Sequence, residues 1–256
     1  MQATDLPRLA RRIESWFAKH QRPLPWRKRY APYHVWVSEV MLQQTRMEVV
    51  LPYFARFVKR FPTLRALAEA TEQDVMAAWS GLGYYRRARM LHAAARAANG
   101  VVPRTLDALM ALPGVGRYTA GAIASIAYNE RAPIVDGNVA RVLCRIDKIE
   151  SDPREKATLA RLWQRAEEIL PRKEVGDFNS AMMELGATVC TPRNPQCLIC
   201  PVRAFCEAQA AGLQEQIPVR RKSKINPLHR RAILCIEHTG QWLIEQRPPM
   251  GRWAGM

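Results

Sequence analysis

Four cysteines in one short segment constrain the fold of this chain more than any other feature. They are Cys190, Cys197, Cys200 and Cys206, with six, two and five residues between them. Four thiolates on one compact loop can enclose a tetrahedral zinc ion or a cuboidal iron–sulfur cluster. Zinc ribbons prefer two short Cys-x2-Cys knuckles, whereas this segment has one such pair. The spacing therefore favours an iron–sulfur cluster and leaves zinc as the alternative.

The charge balance predicts an acidic polymer as the partner. The chain has 39 lysines and arginines against 23 aspartates and glutamates, a formal net charge of +16. Such an excess favours nucleic-acid binding, and a soluble protein with a merely basic surface is the alternative. No apolar run is long enough to span a bilayer, and the N-terminus lacks a signal-peptide pattern. We expect a cytoplasmic protein without membrane contact.

Periodicity predicts that residues 1–215 form a helical domain that includes the cysteine loop at 190–206. Apolar residues recur every three or four positions, and Pro or Gly punctuates the segments. The predicted helices are 6–18, 33–44, 51–57, 64–70, 74–79, 86–98, 106–111, 118–128, 139–146, 156–170 and 178–188.

The pattern changes after residue 215. Residues 216–230 are polar and then basic, which is typical of a linker. Two strands are predicted at 232–237 and 242–246, around the turn 238–240. A lone hairpin is marginal in water. We therefore expect residues 231–256 to begin a second, β-containing domain that is cut short here.

Residues 112–120 read Leu-Pro-Gly-Val-Gly-Arg-Tyr-Thr-Ala and lie between two predicted helices. Gly114 and Gly116 permit a tight turn and leave backbone N–H groups open. The start of the following helix adds free donors and its positive dipole end, so the segment suits a phosphate. An ordinary glycine turn between helices is the alternative.

Two carboxylates are candidates for catalysis. Glu39 lies in a predicted helix that is apolar nearly all round, so its carboxyl should be buried and held neutral. Buried Glu is rare without a partner or a task, and the alternative is an ion pair with Arg46 or Arg86. Asp136 precedes a predicted helix, where it could simply cap the N-terminus.

Taken in order, these strings resemble the MutY-type adenine DNA glycosylases of the helix-hairpin-helix superfamily. The resemblance covers residues 5–256, and residues 247–255 look like the start of the MutT-like (Nudix-like) domain of that family. The strings that carry it are 24–27, the Glu39 segment through Thr45, 81–85, the hairpin 112–120, 135–143 and the cysteine loop.

The resemblance implies a mainly α fold, a helix-hairpin-helix glycosylase with an iron–sulfur loop and the first β-hairpin of a truncated α/β domain. It implies a 4Fe–4S cluster and an enzyme that acts on double-stranded DNA. The overall layout suits a bacterial cytoplasm, and we assume a monomer. The enzyme would hydrolyse the N-glycosidic bond of adenine opposite 8-oxoguanine or guanine and leave an abasic site. We expect a weakened preference for 8-oxoguanine over guanine, because in this family the C-terminal domain carries out much of the recognition of the damaged guanine.

The resemblance also implies residue roles. Glu39 would protonate adenine at N7 and Asp136 would face the sugar, as paired carboxylates do in glycoside hydrolysis. Tyr118 and Asn138 would line the same pocket. Trp26 and Arg27 would line the adenine pocket. Residues expected to contact DNA are Gln44, Thr45, Leu82, Tyr84, Gly114, Val115, Gly116 and Arg117.

Two other functions are considered. An endonuclease III-type enzyme for oxidised pyrimidines carries a nucleophilic lysine just after the hairpin, and this chain has Tyr118 there. Without that amine the Schiff-base route has no obvious nucleophile, so we expect a monofunctional enzyme. A non-catalytic DNA-binding module would explain the charge and the hairpin, but it would leave a carboxyl in an apolar helix unexplained.

Overall fold

The computed structural model describes residues 5–219, 228, 230 and 234–245. The chain divides into two compact units, residues 1–220 and 221–256. In chain order the helices are α1 Leu6–His20, α2 Pro32–Leu42, α3 Met47–Arg60, α4 Leu64–Glu69, α5 Glu72–Trp79, α6 Arg86–Ala97, α7 Leu106–Met110, α8 Arg117–Ala122, α9 Gly137–Ile146, α10 Lys156–Ile169, α11 Val175–Thr188 and α12 Glu207–Ala210. The predicted mainly helical class is confirmed, and no helix in the described ranges is long and apolar enough to cross a membrane.

Two apolar cores organise the first unit. One is built largely from α1, α9, α10 and α11, with Ile13, Leu143 and Phe178 near its centre. The other is built from α2 to α8 and includes Trp36 and Trp79. Each fully buried side chain of this size stabilises the fold by roughly 2–3 kcal/mol relative to exposure.

Helix α2 runs between the two cores, which explains its apolar composition on every side. Val35 belongs to the first core, whereas Trp36 and Val37 belong to the second. The helix begins with Pro32, whose missing N–H costs nothing at that position. It ends at Leu42, so the prediction that it continues to residue 44 is wrong. Gln44 instead has a left-handed backbone, with φ of 56°.

Helix α8 continues directly into a π-helical turn at Ile123–Ala127. The sequence predicts one regular helix over 118–128, and the widened turn is a departure from it. Close packing accompanies this region, because a Cβ on Gly121 would lie 2.7 Å from the carbonyl oxygen of Pro133. Such π turns are rare and occur frequently at functional sites.

The second unit contains a short antiparallel hairpin. Strands β1 Glu237–His238 and β2 Gln241–Trp242 have two residues each, so the longer predicted strands are wrong over 234–236 and 243–245. The apolar side chains of its described residues are exposed, and Ile244 is 89% exposed. Residues 220–227, 229, 231–233 and 246–256, which include most of the predicted basic linker and the MutT-like string, lie outside the described residues.

Candidate active site

A cavity of about 610 Å³ opens between α2, α8, α11 and the start of α9. It brings together side chains that are far apart in the sequence and that carry most of the chemistry predicted for this chain. Residues predicted for the site that line it are Trp26, Arg27, Glu39, Gln44, Thr45, Tyr118, Asp136 and Asn138. Its further polar lining includes Arg22, Tyr30, Ser180 and Glu184.

Glu39 is the most deeply buried acid of the predicted pair. Its side chain is held on α2, and its carboxylate oxygen Oε2 accepts a hydrogen bond of 2.6 Å from the hydroxyl of Tyr118. Burial raises the pKa of Glu39 to about 7, and the nearby Asp136 charge acts in the same direction, while the Tyr118 bond opposes it. The partner is thus a tyrosine rather than Arg46 or Arg86. Glu39 can carry a proton near neutral pH.

Asp136 both caps a helix and lines the cavity. One carboxylate oxygen accepts a bond of 2.7 Å from the backbone N–H of Val139, and the other accepts one of 3.0 Å from Nδ2 of Asn138. Burial raises the pKa of Asp136, and these donors oppose the rise by stabilising the anion. Asp136 thus accepts two hydrogen bonds that stabilise its anion, whereas Glu39 accepts one, from Tyr118, so Glu39 is the better candidate for the proton carrier.

An ion-pair cluster that the sequence analysis missed forms another wall. Glu184 on α11 accepts hydrogen bonds from Nε of Arg22 at 2.6 Å and from Nη2 of Arg27 at 2.8 Å. Burial alone would raise the pKa of Glu184, but these bonds lower it below its usual value. The signal was present, because Glu184 stands in an apolar helix as Glu39 does. The ionised carboxylate fixes two guanidinium groups at the cavity.

The aromatic wall of the cavity is Trp26. Its side chain is buried, and its ring packs edge-on against Phe54 with centroids 5.0 Å apart. Trp26 therefore anchors the segment 22–30 to the second core while it faces the cavity. A flat apolar ring in that position suits the face of a planar ligand.

Gln44 and Thr45 lie at the cavity, whereas the other residues predicted to contact DNA do not line it. Tyr84 is 60% exposed with a left-handed φ of 48°. The neighbouring Leu82 side chain is buried, so any contact it makes with DNA in this conformation comes from its backbone.

The glycine hairpin forms a tight turn that leads into α8. Gly114 has a φ of +72°, and a Cβ there would lie 2.5 Å from Cβ of Met90. Gly116 is the N-cap of α8, and the space beside it is open. The Val115 side chain is buried, and the Arg117 guanidinium lies 3.9 Å from the ring centroid of Trp163.

The four clustered cysteines line one small cavity, together with Arg145 and Gln214. No three Cys, His, Asp or Glu side chains of the described residues converge as ligands of one metal ion would. The four thiols instead surround one cavity, which is the arrangement that a cluster with one iron per thiolate needs. Arg145 Nη2 and Gln214 Oε1 are buried without partners among the described atoms. Burial raises the pKa of Cys200 to about 12, so its thiolate requires a positive counter-charge.

A chain of hydrogen bonds on α9 connects the two sites. Arg141 donates through Nη2 to Oδ1 of Asn138 at 2.9 Å and through Nε to the carbonyl of Cys190 at 2.7 Å. Asn138 in turn donates to Asp136. Arg145, further along α9, donates to Sγ of Cys190 at 3.2 Å. The cysteine loop thus contacts the network that orients Asp136.

Comparison with known proteins identifies the family. The model of HhH-GPD superfamily base excision DNA repair proteins matches residues 37–168, more than half the chain. The model of the iron-sulfur binding domain of endonuclease III matches residues 190–206. A solved thermostable thymine-DNA glycosylase has a TM-score of 0.72 at 26% identity, over 81% of this chain and 98% of that chain.

Two curated relatives narrow the class. The chain is 44% identical over 257 residues to the adenine DNA glycosylase of Rattus norvegicus, over 93% of this chain and 49% of the relative. It is 36% identical over 246 residues to that of Buchnera aphidicola subsp. Acyrthosiphon pisum (strain APS), over 94% of this chain and 70% of the relative. The chain thus spans about half the length of the rat relative.

The fold and the matches place the chain in the HhH-GPD superfamily of base excision DNA repair proteins. Within that superfamily the chain belongs to the MutY-type adenine DNA glycosylase family. The predicted family is confirmed, and so is the predicted 4Fe–4S cofactor in preference to zinc. The roles assigned to individual residues and the domain boundaries stay predictions.

Proposed function

We propose that this protein removes adenine from double-stranded DNA in which adenine is mispaired with 8-oxoguanine or guanine, and that it leaves an abasic site. The observation that carries the proposal is the pairing of Glu39 with Asp136 at one cavity. One carboxyl is buried with a pKa of about 7, and the other accepts two hydrogen bonds that stabilise its anionic form. Two acids in such different states can divide the work of acid and electrostatic stabiliser.

In this mechanism Glu39 donates its proton to N7 of adenine. The C1′–N9 bond breaks, its electron pair leaves with the base, and the sugar becomes an oxocarbenium-like cation. The Asp136 carboxylate stabilises that positive charge. Water then adds at C1′, and its proton passes to the Glu39 carboxylate, which restores the acid.

The other walls orient the base. Trp26 offers a face for stacking, and the Arg22 and Arg27 guanidiniums, fixed by Glu184, offer fixed donors. The absence of a lysine at position 118 supports a monofunctional reaction. Tyr118 uses its hydroxyl to donate to Glu39 and has a pKa well above its usual value because of burial, so it is a poor nucleophile.

DNA binding in this proposal combines phosphate contacts with extrusion of the adenine. The hairpin at 114–117 supplies backbone N–H groups, and a basic chain supplies charge. Gln44 and Tyr84 fill the gap left in the stack, whose formation costs a few kcal/mol. The protein acts as a monomer in the bacterial cytoplasm.

The four cysteines would hold the cluster, whose iron ions would balance the charge of the thiolates and would give the loop at 190–206 a rigid centre. The cluster would supply no step of base removal. The residues of this chain do the rest. Arg145 contacts the Cys190 thiol, and Arg141 transmits the position of the loop to Asn138 and Asp136.

Single-turnover excision on four duplexes tests the proposal. They carry adenine opposite 8-oxoguanine, adenine opposite guanine, adenine opposite thymine, or an oxidised pyrimidine opposite its normal partner. We expect release of adenine from the first two and little from the others. Release of the oxidised pyrimidine would instead support an endonuclease III-type activity, and tight binding without release would support a non-catalytic module.

A further inference from the structure

Arg87 joins two loops that no other described side chain connects by so many bonds. These paired loops are residues 43–45, which line the cavity, and residues 81–84, which carry the exposed Tyr84. Nη1 of Arg87 donates to the carbonyls of Val40 at 3.1 Å and Met41 at 2.8 Å, and also to that of Gln43. Its Nη2 atom donates hydrogen bonds to acceptors in both loops.

The hydrogen bonds of Nη2 connect the loop at 43–45 with the loop at 81–84. Nη2 donates to Oγ1 of Thr45 at 3.0 Å and to the carbonyls of Gly83 at 3.2 Å and Leu82 at 3.4 Å. The guanidinium also lies 5.3 Å from the ring centroid of Tyr84 and 5.4 Å from that of Trp79. One planar group therefore bonds to both loops and supports the exposed tyrosine ring from beneath.

The chemistry of the group explains why an arginine occupies this place. The last carbonyls of α2 lack intrahelical partners, and a cation at a helix C-terminus is favourable. A guanidinium has two terminal nitrogens at a fixed separation, so it can serve the end of α2 and the turn at 81–84 together. A lysine ammonium is a single centre and cannot span both.

The backbone of both loops needs such support. Gln44 has a φ of 56° and Tyr84 a φ of 48°, left-handed conformations that side-chain-bearing residues rarely adopt. They persist where the surroundings hold them, often at sites of function. Both side chains are exposed. Two exposed side chains with left-handed backbones therefore stand on the loops that Arg87 joins.

We propose that Arg87 is a positioning residue that couples the paired loops, so that Gln44 and Tyr84 act together when adenine leaves the duplex and enters the cavity. The inference rests on the proposed function. Arg87 does not line the cavity, and its bonds leave Glu39, Asp136 and Tyr118 untouched. Its loss should therefore slow base extrusion while bond cleavage keeps its own pH dependence.

The test compares two substrates in single-turnover experiments with wild-type protein and the Arg87→Lys variant. In the first duplex the adenine faces 8-oxoguanine, and in the second it faces an abasic-site analogue, which makes extrusion easier. We expect the variant to be slower by about tenfold to a hundredfold on the first duplex. On the second duplex we expect the deficit to shrink to about threefold or less, with an unchanged pH profile.

Two further variants keep the test sharp. Arg96→Lys is the matched control, because Arg96 lies on the same helix and donates to the carbonyls of Ala68 and Ala70 at the end of α4, remote from the loops. It should behave as wild type on both duplexes. Thr45→Val removes one acceptor from Arg87 and should give a smaller deficit of the same substrate dependence.

The outcomes separate the inference from the function on which it rests. Equal deficits for Arg87→Lys on both duplexes, with the cluster absorption and melting temperature of wild type, would overturn the coupling role. So would a wild-type rate on the first duplex. Wild-type protein that releases no adenine from either duplex would overturn the proposed function and the inference with it.

Discussion

The hydroxyl of Tyr118 donates a hydrogen bond of 2.6 Å to Oε2 of Glu39, although 79 positions separate the two residues in the sequence. The bond occupies one oxygen of the carboxyl and leaves the other to carry a proton. It also tunes the acid, since it opposes the rise in the pKa of Glu39 that burial causes. The tyrosine thus acts directly on the acid.

The rate of adenine release should fall as the pH rises through about 7, because Glu39 must be protonated to act and its pKa is about 7. Tyr118→Phe removes a hydrogen bond that lowers this pKa. The falling limb of the pH–rate profile should therefore move to higher pH in the variant. Single-turnover rates across pH 5 to 9 would show the movement, and a limb that moves to lower pH would contradict this account of the bond.

Glu39 should also make the protein less stable as the pH rises. Its pKa is raised from 4.5 to about 7 in the folded state, so the folded state binds more protons than the unfolded state between those values. Stability contributed by the neutral acid is complete below pH 4.5 and is lost by about pH 7, which amounts to about 3 kcal/mol.

The glutamine of Glu39→Gln cannot ionise. The free energy of unfolding of the variant minus that of wild type should therefore increase as the pH rises through this range. Urea unfolding at pH 5 and pH 8 measures the difference. Parallel changes in the two proteins would show that Glu39 does not titrate between pH 4.5 and 7.

Glu184→Gln should destabilise the fold by about 3 kcal/mol, because it leaves the Arg22 and Arg27 guanidiniums beside a neutral group in a mostly buried place. The matched control is Glu150→Gln, whose partner Lys148 lies 3.6 Å away on the surface. That variant should unfold as wild type does. If both variants unfolded at the same urea concentration, the ion pairs around Glu184 would not contribute to the stability of the fold.

Arg141→Lys should slow adenine release by about tenfold or more while the cluster stays bound, because one ammonium cannot hold Asn138 and the Cys190 carbonyl together. Arg165→Lys is the control, since Arg165 donates to Asp147 and Glu168 and does not line the cavity. Rates are measured together with the visible absorption of the cluster. An Arg141→Lys variant with the wild-type rate would show that the hydrogen bonds between the cysteine loop and Asp136 do not affect adenine release.

Local patterns predicted most of the helices because apolar spacing reports which face is buried. The predictions failed where distant contacts decide the backbone. Helix α2 was expected to reach residue 44, but Arg87 caps its carbonyls and the chain turns at Gln44. In the second unit only residues 237–238 and 241–242 pair, and the apolar side chains described there are exposed, so no burial among the described residues supports the longer predicted strands.

In the candidate site, too, local patterns predicted some residues and could not predict the contacts between distant segments. Glu39 was found because a carboxyl in an apolar helix stands out, and Glu184 would have been found by the same rule applied to α11. The same rule could not identify the hydrogen-bond partners of Glu39 and Glu184. The Glu39–Tyr118 and Glu184–Arg22 bonds join segments that are 79 and 162 residues apart in the sequence. No local pattern in one sequence reports such pairs.

The most direct test is a duplex with one adenine opposite 8-oxoguanine, incubated with wild-type protein or with Glu39→Gln and run on a denaturing gel before and after hot alkali. The account predicts that wild-type protein gives strand cleavage at the adenine only after alkali. It also predicts that Glu39→Gln loses at least about a hundredfold in rate. Cleavage without alkali would reveal a lyase nucleophile, and a Glu39→Gln variant with near-normal turnover would contradict the assignment of Glu39 as the acid.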